Sequence, residues 1–474
     1  MVTTLRNVQA DLPHRRWRRR RTSVLVAAVA AATLGVAGTA VAAPVQASGD
    51  ASPPAPGVAV ATDASGDAGV LGRTATLTLA PCAGALETPP AACTGEAAGR
   101  YDYQLNAGPP QSLTATGGVQ RVQIPLHHVG PNTVTVFAVS ATGDLSESAS
   151  ADFVVTTPAT PYADGDVDGD GHADLLLVGT DADPGLWLAR GDGAGGLATP
   201  TDIGADGTGI NNTPADWNDA QVLHGDFTGD RVQDVLAYRP AGDSAGQAFL
   251  QYGNGDDLPL SPYSGDSEWL HSDQFTDYTL NGDGDNPTRL VAAGNAGLDD
   301  TGIADLIGIS GDAANGYQLD LYTACGGCSA GSYGYARTLA GPTEAPDGDD
   351  DWNDFSLTTA QPAGQTVLFA VKKSTGELWE STNPSQNATA LIGTSGTWTR
   401  IDVPWNPRHV PALVFGDVDA AGHVELWAQA GMCATRYTLT GTTLERGATV
   451  DLTPGHPRHR TGKHRKGSGQ ALGH

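Results

Sequence analysis

One ten-residue run constrains this chain more than any other: Asp166-Val167-Asp168-Gly169-Asp170-Gly171-His172-Ala173-Asp174-Leu175. Four aspartates crowd a short turn that leads directly into the apolar stretch Leu175-Leu176-Leu177-Val178. Four like charges so close together repel one another unless something neutralises them. A hard cation such as Ca²⁺ takes roughly six to eight oxygens, and a tight loop supplies them from spaced side chains and one backbone carbonyl. Asp166, Asp168 and Asp170 are the candidate side-chain ligands, His172 the carbonyl donor, and Asp174 the ligand that closes the ring. Gly171 sits where such a loop turns sharply.

The spacing recurs. Asp226-Phe227-Thr228-Gly229-Asp230-Arg231-Val232-Gln233-Asp234-Val235 keeps Asp226, Asp230 and Asp234, with Thr228 in the second ligand place and Val232 at the carbonyl place. Arg231 stands where the first copy has Gly171. A further copy spans Asp417 to Leu426, keeping Asp417, Asp419 and Glu425, with His423 at the carbonyl place and Ala421 where a ligand is lost. Asp299 to Leu306 matches only the second half. Another unit keeps the strand patterns Thr366–Lys372 and Glu377–Trp379 without an acidic loop. The units repeat at roughly 55 to 70 residues, a length suited to a four-stranded propeller blade and its loops. Within them, short runs such as Leu186-Trp187-Leu188-Ala189 and Ala248-Phe249-Leu250-Gln251-Tyr252 are separated by glycine-rich turns, and long helical periodicity is absent. Trp217-Asn218-Asp219 and Trp352-Asn353-Asp354 form a second recurring element, read as a packing tryptophan at the start of a blade.

Residues 162 to about 453 resemble the FG-GAP (VCBS-type) repeats, calcium-loop β-propeller repeats also found in integrin α-subunit heads. The resemblance is carried by the Asp166–Leu175 and Asp226–Val235 cores and the decayed copy at Asp417–Leu426. It implies loop calcium, a secreted address and a binding role rather than catalysis. Many relatives have seven blades, whereas the units here count to five. The expected fold is all-β, an Ig-like β-sandwich followed by a β-propeller.

The sandwich is expected from Gly57 to Thr157, where Thr74–Leu79, Arg121–Leu126, Pro131–Val139 and Phe153–Val155 alternate with period two about ten residues apart. The stretch Gly130–Ser146 is similar to bacterial Ig-like modules. Residues 43–56 and 157–163, rich in proline, read as linkers. Residues 1–42 read as a signal peptide: Arg15 to Arg21 supplies a charged region, Val24 to Ala37 a short apolar one, and Ala40-Val41-Ala42 small residues for cleavage. His456 to Lys466 lies in a basic tail, 454–474, expected to be disordered.

The formal charge of −27 becomes more negative once the arginine-rich leader is removed. Such a chain repels phosphates, which argues against nucleic acid or an anionic membrane surface as partner. The five cysteines fit an oxidising compartment. Cys82 can pair with Cys93 and Cys325 with Cys328, leaving Cys433. No zinc-protease helix, serine elbow or phosphate loop is present in the sequence. The reading is a secreted, monomeric, calcium-binding propeller that takes a carbohydrate or protein ligand and has no catalytic residues. The alternatives are a polysaccharide hydrolase or lyase on the same scaffold, or a structural matrix protein.

Overall fold

The computed structural model describes residues 52–453, apart from 107, 180–183, 205–213, 257–258, 262–266, 271–285, 295–301, 327–330, 341–342, 349–351, 362–365, 382–397, 406–411, 417–424 and 431–432. The leader, the basic tail and Cys328 lie outside the described residues. No helix among the described residues is long and apolar enough to cross a membrane.

Two sheets open the chain. One joins β1 (Gly57–Val60), β3 (Thr74–Ala80) and β6 (Gln120–Pro125); the other joins β2 (Asp67–Val70), β8 (Ala149–Thr156), β7 (Gly130–Ser140), β4 (Ala98–Leu105) and β5 (Gln111–Thr114). Their inward side chains share one core, Leu77, Leu79 and Ile124 from the first sheet meeting Tyr101, Val134, Val136 and Phe153 from the second. Cys82 and Cys93 form a disulfide that closes the loop after β3.

Five further sheets follow in strict chain order. The first comprises β9 (Leu175–Val178), β10 (Leu186–Ala189) and β11 (Thr201–Asp202). The second comprises β12 (Gln221–Gly225), β13 (Asp234–Tyr238), β14 (Ala248–Gln251) and β15 (Ser267–Leu270). The third is β16 (Arg289–Ala292), β17 (Leu306–Asp312), β18 (Gly316–Ala324) and β19 (Tyr333–Ala340). The fourth is β20 (Phe355–Ala360), β21 (Val367–Lys372), β22 (Leu378–Ser381) and β23 (Trp398–Ile401). The fifth is β24 (Ala412–Gly416), β25 (Glu425–Ala430), β26 (Cys433–Thr440) and β27 (Thr443–Asp451). All pair antiparallel through neighbouring strands.

Side-chain packing turns this series into a ring. Separate cores fill each gap: Val167, Leu188 and Trp217 meet Val235 and Phe249 between the first and second sheets. Tyr238 and Leu250 meet Leu306 and Tyr322 between the second and third. Ile307 and Leu321 meet Trp352 and Leu368 between the third and fourth. Phe369 stacks on Phe415 at 3.8 Å between the fourth and fifth. The last core, Leu175, Leu177, Ala189, Trp427, Ala434 and Val450, joins the fifth sheet back to the first. Five blades therefore close a β-propeller among the described residues.

Among the described residues closure uses no shared strand, because the first and fifth sheets are each continuous in sequence. Besides the apolar core, Arg436 lies against Gly195, where an added Cβ would fall 1.3 Å from its Nη1. Trp217 and Trp352 are buried packing residues in short 3₁₀ turns just before the innermost strands of their blades.

Every residue of β13 and β14 is buried. The reason is geometric: each blade lies between two others, so the middle strands are covered on both faces. The two-sheet unit docks through Val232, which joins its core, and through a 2.6 Å contact between His127 Nε2 and Asp256 Oδ2. Trp427→Ala should remove the centre of the closing core and lower unfolding free energy by about 3–5 kcal/mol, measured by urea denaturation. An effect as small as that of a surface substitution would mean that the ring is not closed there.

Candidate metal centre

The acidic loops sit at one end of the innermost strands, where each first strand turns into the second. The registers coincide. Gly225 pairs Asp234 and Gly416 pairs Glu425, while Asp174 N donates to Gly165 O and Asp305 N to Gly294 O. Four blades thus present an acid at one equivalent position, the start of the second strand. In the first blade the sequence before the loop reduces to this single link, and its described sheet has three strands.

The first two loops carry the same hydrogen-bond pattern. Asp174 Oδ2 accepts Val167 N–H at 3.1 Å and Asp168 N–H at 3.3 Å, while Oδ1 accepts Gly191 N–H at 2.9 Å. Asp234 repeats this with Phe227, Thr228 and Gly253 at 2.8, 2.9 and 2.8 Å. Asp166 accepts the N–H groups of Gly169 and Gly171, and Asp226 those of Gly229 and Arg231. Glycine is needed two residues past β10 and β14: a Cβ at Gly191 would lie 2.6 Å from Ala173 O, and one at Gly253 2.1 Å from Gln233 O.

Arg231 adopts φ +72°, close to the conformation of Gly171 (φ +92°) and costly for a residue with a Cβ. Its guanidinium donates to Pro158 O at 3.0 Å and Ala159 O at 2.9 Å, and its carbonyl accepts Tyr162 N–H. The residue that breaks the glycine pattern therefore ties the loop to the segment linking the two-sheet unit to the propeller.

Asp166, Asp168 and Asp174 bring carboxylate oxygens within 4.8 Å of one another, as do Asp226, Asp230 and Asp234. Asp170 is exposed and not part of the first cluster; its Oδ1 accepts His172 N–H at 2.8 Å. His172 Nδ1 is buried without a hydrogen bond, and Val232 donates its N–H to Asp230 Oδ1 while packing its side chain into the neighbouring core. Thr228 Oγ1 is likewise buried and makes no hydrogen bond. Asp417, Asp419 and His423 lie outside the described residues. Glu425 is buried, 3.4 Å from Arg436 Nη1, and accepts Thr438 Oγ1–H at 3.3 Å.

Sequence reasoning missed two partners. Arg190 Nε donates to Asp168 Oδ2 at 2.6 Å, so the first loop carries its own counter-charge. Arg190 directly follows β10, and no feature of its neighbourhood in the sequence marks it. Asp164, two residues before the first loop, pairs with His224 Nδ1 across blades at 3.5 Å.

Of the remaining cysteines, Cys325 is disulfide-bonded and Cys433 is free and exposed. No family profile matches this sequence, and no curated protein does. Among solved structures, it is similar to an auxiliary nutrient binding protein from Bacteroides ovatus, at 10% identity over 84% of this chain and 72% of that one, with a TM-score of 0.24. It is also similar to SapL1 lectin in complex with alpha methyl fucoside, at 11% identity over 86% and 99%, with a TM-score of 0.27. A third is Aleuria aurantia lectin, at 12% identity over 70% and 94%, with a TM-score of 0.27. Superposition at these values is partial, and the blade count rests on the sheets and cores described above.

Burial dominates the electrostatics of both loops. It pushes Asp166 and Asp226 up to about 6 and Asp174 up to about 7, against the backbone N–H donors that favour the charged form, and it raises Asp234 well above the usual carboxylate range. An acid whose folded pKa exceeds its unfolded value binds more protons when folded, so its contribution to stability is lost as pH rises through the folded value. Exposed Asp63 and Asp192, whose pKa values are lowered by hydrogen bonds, are ionised in both states across that window and contribute no slope there. In chelator, the urea midpoint should therefore fall between about pH 5 and about pH 8. Asp174→Asn should flatten that fall; an equally steep fall in the variant would remove Asp174 as its source.

Proposed function

We propose that this protein is a secreted, calcium-stabilised five-bladed propeller with FG-GAP (VCBS-type) loops that binds an extracellular carbohydrate or protein and catalyses no reaction. The leader 1–42 exports it, the Ig-like unit 57–157 holds residues 162–453 away from the cell envelope, and the protein acts as a monomer. The observation that carries the metal reading is the repetition of one loop geometry in two blades, with three carboxylates converging each time.

The donor set fits the ion. All ligating groups are oxygens, the preference of Ca²⁺, and the loops are irregular turns able to offer carbonyls from His172 and Val232. The buried, unbonded Thr228 Oγ1 supplies the second loop with a neutral oxygen where the first has Asp168. The ion would be held by Asp166, Asp168, Asp170 and Asp174 with the His172 carbonyl in the first loop, and by Asp226, Thr228, Asp230 and Asp234 with the Val232 carbonyl in the second. In the third, Asp417, Asp419 and Glu425 with the His423 carbonyl would serve. Bound calcium supplies positive charge that keeps these carboxylates ionised and fixes the turn into each second strand.

The two complete loops differ in counter-charge. Arg190 already neutralises part of the first, whereas the second has a threonine in place of one carboxylate. Ligand binding only the folded state stabilises it by about 2.7 kcal/mol at a hundredfold excess over Kd. Calcium should raise the thermal midpoint by several degrees, and Asp226→Asn with Asp230→Asn should remove much of that rise. Calorimetry in calcium and in chelator measures both; a midpoint that calcium leaves unmoved would end the metal reading. For the binding role, glycan-array retention of calcium-loaded protein without new reducing or unsaturated ends is the expected result.

A further inference from the structure

Beyond the acidic loops, the innermost strands of the propeller enclose a cavity of about 640 Å³. Its wall is contributed by β12, β16, β20 and β24, so it belongs to the centre of the ring and to no single blade. That volume is in the range of small-molecule sites.

The charges on this wall are distributed unevenly. At the end nearest the acidic loops, Asp164 and His224 face each other at 3.5 Å. Toward the opposite end stands Arg289, the first residue of β16. It is half-buried, and it makes no ion pair and no side-chain hydrogen bond among the described residues. A half-buried, permanently charged guanidinium without a counter-ion is unexpected in a chain of formal charge −27, where carboxylates outnumber cations two to one.

Inter-blade bonds place the surroundings of Arg289. Gln221 bonds both the N–H and the carbonyl of Leu290, and Thr359 Oγ1 donates to Ala292 O at 2.5 Å. A Cβ at Gly294 would fall 2.2 Å from Gln361 Oε1, two residues further along both chains from the Thr359–Ala292 link, so β16 and β20 run side by side in the same direction. Counting back three residues from the Thr359–Ala292 link sets Ser356 level with Arg289, and Thr358 level with Val291. Ser356 and Thr358 both line the cavity, as does Lys373, which follows the strand end where Lys372 pairs Phe355. Leu223 and Val291 add apolar wall.

We infer that the central cavity binds a sugar acid, with Arg289 holding its carboxylate, Ser356 and Thr358 meeting its hydroxyls, and the apolar wall meeting its ring. This names the ligand class and the place for the binding role proposed above, and it rests on that role. A planar guanidinium matches a carboxylate with two parallel hydrogen bonds, which a neutral sugar cannot supply. Metal in the loops reaches this site only indirectly, by fixing the ends of the inner strands.

The test is isothermal calorimetry on the calcium-loaded full chain with D-galacturonate, D-galactose and acetate. Galacturonate should bind, and galactose and acetate should bind far more weakly. Arg289→Gln should weaken galacturonate by about thirtyfold or more, the scale for breaking one desolvated charge pair. Arg289→Lys should fall between, with thermal midpoints matching the parent. Digalacturonate binding more tightly than the monomer would assign the ligand as the end of an acidic polysaccharide; equal or weaker binding would assign a free sugar acid.

Absence of galacturonate binding at millimolar concentration would overturn the inference, as would equal affinity for galactose or unchanged affinity in both Arg289 variants. These failures separate from those of the broader reading. If calcium moves the melting point but galacturonate does not bind, the metal scaffold stands and the ligand class falls. If galacturonate binds through Arg289 while calcium has no effect, the site stands and the metal falls.

Discussion

The propeller depends on one contact made repeatedly: an acid at the start of the second strand that captures backbone N–H groups from elsewhere in its own blade. In the first two blades the acid gathers two donors from the entry of its loop and one from just beyond β10 or β14. In the third, Asp305 accepts Ala324 N–H at 2.8 Å. All of those N–H groups but that of half-buried Thr228 would otherwise be buried without a partner, and such an orphan costs about 1–3 kcal/mol. The carboxylate thereby fixes where the loop begins, where it ends and how the third strand lies against it. Everything further out in the blade inherits that register.

That contact also sets the electrostatic problem of the molecule. Concentrating carboxylates at the ends of buried strands raises their pKa values, because burial disfavours the charged form more than the surrounding N–H dipoles favour it. The first blade meets this in part with Arg190, held against Asp168. The second replaces one carboxylate with Thr228 and keeps three. The two loops are thus alike in backbone and different in charge. They also differ in what they touch: Arg231 and Val232 carry the second loop into contact with the neighbouring two-sheet unit.

The ring places chemistry that no single blade contains. The Asp164–His224 pair, the Gln221 clasp on Leu290 and the cavity wall bearing Arg289 each bring together residues from different repeats. A chain with few cations keeps one of them, without an ionic partner, at the centre of its largest repeated structure. Among the described residues the first and last blades meet through side chains, and that interface is the joint on which this arrangement rests.

Local sequence determined the strands, the turns and the composition of the loops. The Asp166 and Asp226 runs, their glycines and the apolar stretches after them are local patterns, and local hydrogen bonding is sufficient to express them. The paired tryptophans were legible for the same reason, as was the Cys82–Cys93 bridge, whose partners are eleven residues apart. Tertiary structure alone decided which carboxylates converge, since Asp170 falls on the exposed side of its turn while Asp174 folds back beneath it. It decided the full burial of β13 and β14, which depends on blades packing on both faces. It also decided the partners of Asp168, Asp164 and Arg231 and the isolation of Arg289, because these depend on distances between residues far apart in the chain. Periodicity reports the face a residue takes within its own strand; only the closed ring fixes what stands opposite.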